Sequence, residues 1–166
     1  LAAIDMSDNV AANILIGHLG GPEAVTQFFR SVGDPTSRLD RIEPKLNDFA
    51  SGDERDTTSP AAMSETLRAL LLGDVLSPEA RGKLAEWMRH GGVTGALLRA
   101  EAEDAWLILD KSGSGSHTRN LVAVIQPEGG APWIATMFIS DTDAEFEVRN
   151  EARKDLGRAV VAVVRE

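Results

Sequence analysis

RLDRIEPKLN at residues 38–47 and DERDTT at residues 53–58 decide how this chain is read, because neither stretch has the period of a helix or a strand. Both lie in Asp34–Ser59, which carries two prolines and many charges, yet spaces Leu39, Ile42, Leu46 and Phe49 as internal anchors. So long a connection in a compact chain usually has a task, and an ordered omega-type loop over 34–59 is expected. Glu43 and Asn47 lie four apart in it. If that stretch makes a helical turn, carboxylate and carboxamide face one side and can hold a water between them, a general-base arrangement. Solvated loop residues are the plainer reading of the same pair. Arg41 and Asp56, with Arg38, Asp53 and Arg55, can pin the loop's two ends by bidentate pairing, although dispensable surface pairs explain Arg38, Asp53 and Arg55 as well.

Before the loop, the cap-like Ser7-Asp8-Asn9 and the apolar Val10, Ile14, Leu15 and Leu19 predict a helix over 8–19, ended by Gly20-Gly21. Pro22 suits a first helical turn, and Val25, Phe28, Phe29 and Val32 mark a second helix up to Gly33. After the loop, Ser59-Pro60 and Ser77-Pro78 each open a helix, with Leu67, Leu70, Leu71 and then Leu84, Trp87, Met88 on the apolar sides. From Trp106 the pattern changes. WLILDKSG, NLVAVIQ and PWIATMFIS are strand candidates separated by turn chemistry. Thr142 with Glu145 has capping-box spacing, and Phe146, Ala152, Leu156, Val160 and Val163 are read as the buried side of a last long helix. The division is therefore an all-helical part over 1–95 and a sheet part with its terminal helix over 96–166.

The 166 residues suffice to bury one or two small cores. With 26 Asp plus Glu against 17 Lys plus Arg and a formal charge of -9, there is no cationic footprint for wrapping nucleic acid. Only Lys45, Lys83, Lys111 and Lys154 are lysines, so carboxylates hydrate the surface, which fits a high-salt setting. Cysteine is absent, and no apolar run approaches the roughly 18 residues of a membrane span. Leu1 falls in an apolar turn, which leads to the expectation that the chain begins partway through a domain.

Outside the loop, Lys111 in DKSGSG can set an ammonium, a hydroxyl and backbone N–H groups along a cleft edge, or serve as ordinary turn chemistry. Arg119 can fork onto a carboxylate. Ser7 offers a proton relay, Asn9 a carboxamide for a substrate amide and Asp8 a bond to local donors; a helix cap explains the same triplet. Asn13, one turn on from Asn9, can hold a neighbouring loop's backbone. His18, His90 and His117 have no mutual spacing for a metal, and neither a GxGxxG fingerprint nor a P-loop is present.

Taken together, SDN at 7–9, RLDRIEPKLN, DERDTT, VTG at 93–95 and KSG at 111–113 resemble, in order and spacing, the penicillinase-type active-site serine β-lactamases. The resemblance covers essentially the whole chain. It implies an α+β fold, β-lactamase/transpeptidase-like, with an all-helical part beside an antiparallel sheet flanked by helices. It further implies that Ser7 protonates the lactam nitrogen, Asn9 holds the side-chain amide, and Glu43 with Asn47 binds the hydrolytic water. Lys111, Ser112 and Arg119 are implied as the carboxylate-recognition group and the Ser114 N–H as one oxyanion donor. Arg41 with Asp56 is implied as the bridge across the loop neck, and Asp8 and Asn13 as structural support. The connection from Gly115 to Arg119 is shorter than in common members.

One departure is large. The family's nucleophile belongs to Ser-x-x-Lys, and no serine here is followed three residues later by Lys. The nucleophile is expected, with the first helix and first two strands, in an N-terminal fragment of the same enzyme, and this chain alone is expected to be inactive. The resemblance also implies a β-lactam substrate, an exported (periplasmic or secreted) and monomeric complete enzyme, and no metal or organic cofactor. A noncatalytic binding or assembly fragment and a penicillin-recognising D-Ala-D-Ala peptidase are the rival readings.

Overall fold

The computed structural model describes residues 1–166. A short turn α1 (Ala2–Asp5) leads into α2 (Asn9–Leu19), whose first turn is capped by Asp8 Oδ1 accepting from the Ala11 N–H at 2.8 Å. Gly20 and Gly21, at φ 103° and 94°, reverse the chain in a conformation few side chains tolerate, and α3 (Pro22–Ser31) follows. The loop from Asp34 contains one short 3-10 turn, Lys45–Asn47. Ser59 and Ser77 then repeat the capping device on Ala62 and Ala80, each with proline in the first turn, to start α4 (Pro60–Leu67) and α5 (Pro78–Arg89).

β1 (Leu107–Ser114), β2 (Arg119–Gln126) and β3 (Trp133–Ile139) form an antiparallel meander in that order, with Lys111 opposite Val122 and Ser114 opposite Arg119. Alternation sends successive side chains to opposite faces, and both faces are covered. On one, Ile108, Leu121, Ala123, Ile125 and Met137 pack with Leu97, Leu98 and the C-terminal α6 (Phe146–Val164). On the other, Leu109 and Val124 meet Leu67, Leu71 and Met88. The sheet thus separates two cores, and the upper end of β1 faces the loop.

Three expectations need correction. Thr142 does not cap α6: its Oγ1 accepts from the Ala144 N–H at 3.1 Å in a local turn, and the helix starts at Phe146 with no side-chain cap. The buried side of α6 is Arg149, Arg153, Gly157, Val161 and Val164, while Phe146, Leu156 and Val163 are exposed. The reason is tertiary: Arg149 Nη1 donates to the Gly115 and Thr118 carbonyls at 2.8 and 3.0 Å, and that demand rotates the arginine face inward. Last, Arg38 and Arg55 do not span the loop neck; each pairs two residues away, with Asp40 and Asp53.

Candidate functional site

Lys111 emerges from β1 half-buried, and its Nζ donates to Ser7 Oγ at 2.8 Å and to the Ser112 carbonyl at 2.6 Å. Ser7 sits at φ 56°, a left-handed conformation unfavourable for serine, on the turn just before α2. Asp8 is the α2 cap, and Asn9, the first residue of the helix, is exposed. Asn13, one turn on, forms a closed pair with the backbone of Glu43: its Nδ2 donates to the Glu43 carbonyl and its Oδ1 accepts the Glu43 N–H, both at 2.9 Å. The side chain of Glu43 is thereby left free, and its Oε2 accepts from Asn47 Nδ2 at 2.7 Å.

The loop that carries this pair is closed at its neck by Asp56, whose Oδ1 accepts the Asp40 and Arg41 N–H groups at 2.7 and 2.9 Å while Oδ2 pairs with Arg41 Nε. At the far side of the cleft, Ser114 ends β1. Ser112 is buried, and Arg119 is held by Asn150 Oδ1 at 3.2 Å and the Gly113 carbonyl at 3.3 Å, its guanidinium 5.4 Å from the Phe146 ring centroid. So Lys111 meets Ser7, Asn47 meets Glu43 near enough to Lys111 for its charge to act on the carboxylate, Asn47 and Ser114 line one cleft, and Arg119 lies beneath the β1–β2 turn.

The electrostatics follow from partial burial. Burial pushes the Glu43 carboxyl above the usual range, against the opposing effects of the Asn47 bond and the Lys111 charge. Burial, then repulsion from Arg119, lowers Lys111. Burial, then Arg149, lowers Arg119. A carboxylate moved toward neutral pH and an ammonium moved toward it are suited to proton transfer under mild conditions.

Several supporting residues escaped the motif reading. Asp34, nearly fully buried, accepts from the Thr36 and Ser37 N–H groups, Ser37 Oγ and Thr66 Oγ1, tying the loop's start to α4. The signal was available: Asp before Pro-Thr-Ser is turn chemistry with local side-chain bonds. Thr94, the middle of VTG, donates to Asp110 Oδ1 at 2.7 Å, and Arg99 Nη2 reaches the same oxygen at 2.8 Å, which anchors the residue beside Lys111. Arg149, Arg153 and Asn150 gave no signal, since polar residues on a long C-terminal helix read as its solvent face.

A helical part packed beside an antiparallel sheet, with a polar cleft at their junction, defines a β-lactamase/transpeptidase-like protein. The chain belongs to the beta-lactamase enzyme family, whose model matches residues 2–164. It is 99% identical to a β-lactamase of Rhodobacter capsulatus over all of this chain and 57% of that protein. It is 48% identical to β-lactamase L2 of Stenotrophomonas maltophilia over 95% of this chain and 52% of the relative. An ancestral class A β-lactamase structure superposes with a TM-score of 0.94 at 48% identity, covering 98% of this chain and 63% of that one. The chromosome-encoded β-lactamase of Vibrio parahaemolyticus gives 0.96 at 39% identity, over 99% and 63%. The chain therefore spans little more than half the length of the curated relatives it matches. No helix is long and apolar enough to cross a membrane.

Proposed function

We propose that the complete enzyme hydrolyses β-lactams through a serine acyl-enzyme, and that this chain supplies its proton-transfer and recognition groups while an N-terminal segment supplies the nucleophile. The observation that supports the reading is the pair of contacts, Lys111 Nζ to Ser7 Oγ at 2.8 Å and Asn47 Nδ2 to Glu43 Oε2 at 2.7 Å, with the Lys111 charge acting on Glu43. A serine hydroxyl adds to the lactam carbonyl and gives its proton to a base, and the developing oxyanion is held by the Ser114 N–H and a second donor. As the C–N bond breaks, Ser7 passes a proton to the departing nitrogen, replaced from Lys111, which regains it from that base. Lys111, Ser112 and Arg119 receive the substrate carboxylate, and Asn9 receives its side-chain amide. Glu43 then takes a proton from a water shared with Asn47. That water adds to the acyl ester, and the serine leaves as alcohol with the proton returned from Glu43. In the full-length enzyme, Glu43→Gln is expected to lower deacylation by about 10²–10⁴ and to accumulate acylated serine in a mass spectrum. Turnover at the parent rate would remove Glu43 from the mechanism.

The partner is an N-terminal segment of the same enzyme carrying Ser-x-x-Lys. Its support is uncovered apolar surface. Val10, Ile14, Leu15 and Leu19 along α2 are 55–68% exposed, β3 has a free edge, and Trp133, Leu156 and Val160 line an apolar groove between β3 and α6. Export to the periplasm or outside the cell, a monomeric complete enzyme and independence of metal or organic cofactors complete the reading. Lack of Ser-x-x-Lys favours a noncatalytic assembly role for the 166-residue chain by itself. Mixing it with the N-terminal polypeptide decides: β-lactam hydrolysis arising only in the mixture supports the divided enzyme, and a folded 1:1 complex without turnover supports the assembly role. A D-Ala-D-Ala peptidase leaves the Glu43–Asn47 pair without a purpose.

A further inference from the structure

Phe49 and His117 belong to no motif, yet their rings stack across the rim of the cleft with centroids 5.1 Å apart and planes inclined by 38°. Phe49 lies two residues beyond Asn47. His117 lies in the tight turn closed by the Gly115 N–H on the Thr118 carbonyl at 3.2 Å. The imidazole is itself tethered to a third segment: Nδ1 is 3.2 Å from the Thr142 carbonyl and 3.2 Å from Asp143 Oδ1. Loop and turn also run close together: a Cβ at Gly115 would stand 3.2 Å from the Asn47 carbonyl oxygen, so glycine keeps that approach open.

What lies behind the loop matters as much. Leu46, Phe49, Thr58, Asn120 and Phe138 line a cavity there of about 360 Å³, and the buried Oδ1 of Asn120 finds no partner. The pocket also reaches Asn47, Gly113 and Ser114, so the outer half of the loop borders an open cleft and not a packed core. The two members of the water-binding pair are held unequally as a result. Glu43 has its backbone clamped by Asn13 through two bonds. Asn47 has only its own 3-10 turn, through its N–H on the Pro44 carbonyl at 3.0 Å, and its bond to Glu43.

We propose that the Phe49–His117 stack is a clasp that holds Asn47 against the β1–β2 turn, making both rings positioning residues for the hydrolytic water. The proposal rests on the reading of Glu43 and Asn47 given above. Hydrolysis of the acyl-enzyme depends on the clasp through Asn47; formation of the acyl-enzyme, which uses Ser7, Lys111 and the Ser114 N–H held in the β1–β2 ladder, does not. An aromatic pair contributes roughly 0.5–1.5 kcal/mol beyond its buried area, so release of the clasp corresponds to a change of about two- to tenfold.

The test uses the full-length enzyme with benzylpenicillin and four variants: Phe49→Ala, His117→Ala, the double variant, and His117→Phe, which keeps a ring. Either alanine variant is expected to lower single-turnover deacylation by about three- to tenfold while acylation changes by less than about twofold. The double variant is expected to match the single ones, and His117→Phe to restore deacylation. Amides 47–52 are expected to exchange faster in the alanine variants and at the parent rate in His117→Phe. Equal losses in both steps, additive effects, or unchanged exchange over 47–52 would overturn the clasp. An unsubstituted enzyme that hydrolyses no β-lactam would sink the catalytic reading instead, and the exchange data would still judge the clasp.

Discussion

The sheet and the α2–α3 pair both carry apolar stripes and end in opposite conditions. Leu121, Ala123 and Ile125 on β2 are fully buried between two cores, whereas α2 and α3 contain no buried residue. Full burial of a Val, Leu or Ile side chain is worth about 1.5–3 kcal/mol, so Val10, Ile14, Leu15 and Leu19 represent stabilisation that this chain does not collect by itself. The site straddles the divide. Lys111 stands on the well-supported sheet, while Asn9 and Asn13 stand on the exposed helix α2 and Ser7 on the turn before it. An apolar stripe therefore announces that a face must be buried without saying whether the same chain buries it.

The sharpest way to break this comparison is hydrogen exchange on the 166-residue chain. Amides of α2 and α3 are expected to exchange about 10³-fold faster than those of β2, with the gap closing when the N-terminal polypeptide binds. Uniform protection would show that the pair needs no cover. Next in size are truncations read by urea unfolding. Leu121→Ala is expected to cost about 3–4 kcal/mol in either setting. Ile14→Ala is expected to cost less than about 0.5 kcal/mol in the isolated chain and several times more in the complete enzyme.

Asp34 comes third, with Asp34→Asn expected to cost about 2 kcal/mol at neutral pH through its lost acceptor capacity. Burial would raise this carboxyl, but its bonds from Ser37, Thr36 and Thr66 bring it below the usual value. Its stabilising contribution is therefore present above the ordinary Asp pKa and is lost as pH falls through the depressed folded one; the Asn variant is expected to show a shallower acid transition.

The smallest effects are pH shifts within the site. Glu43 is raised, so the acid limb of deacylation is expected above the titration of an exposed glutamate. Lys111 is lowered by burial and then by Arg119, so Arg119→Gln is expected to move the alkaline limb of substrate binding to higher pH. A limb that stays in place would remove Arg119 from the electrostatics of Lys111.

Much of the fold was legible because its signals are local. Asp8, Ser59 and Ser77 cap helices by bonds spanning three residues, and proline in the first turns of α4 and α5 needs no distant partner. The face of α6 was misread because its inward arginines follow a tertiary demand, the open carbonyls of the β1–β2 turn. Arg153 carries this furthest: fully buried, with Nε and Nη2 unpaired, it is pushed down to about 10 by burial and then by Arg119, against the pull of Asp110. No hydropathy pattern nominates such a residue for a core.

By itself the sequence determined the five longer helices, the three strands, the irregular Asp34–Ser59 loop and the family, since caps, alternation and motif order are written in neighbouring residues. Only the tertiary structure decided that Asn13 clamps Glu43 across 30 positions, that Asp34 ties the loop to α4, and that Phe49 finds His117. Those contacts depend on where the sheet sets its turn relative to the loop. Short-range propensity carries no information about that distance, which packing on the two faces of the sheet determines.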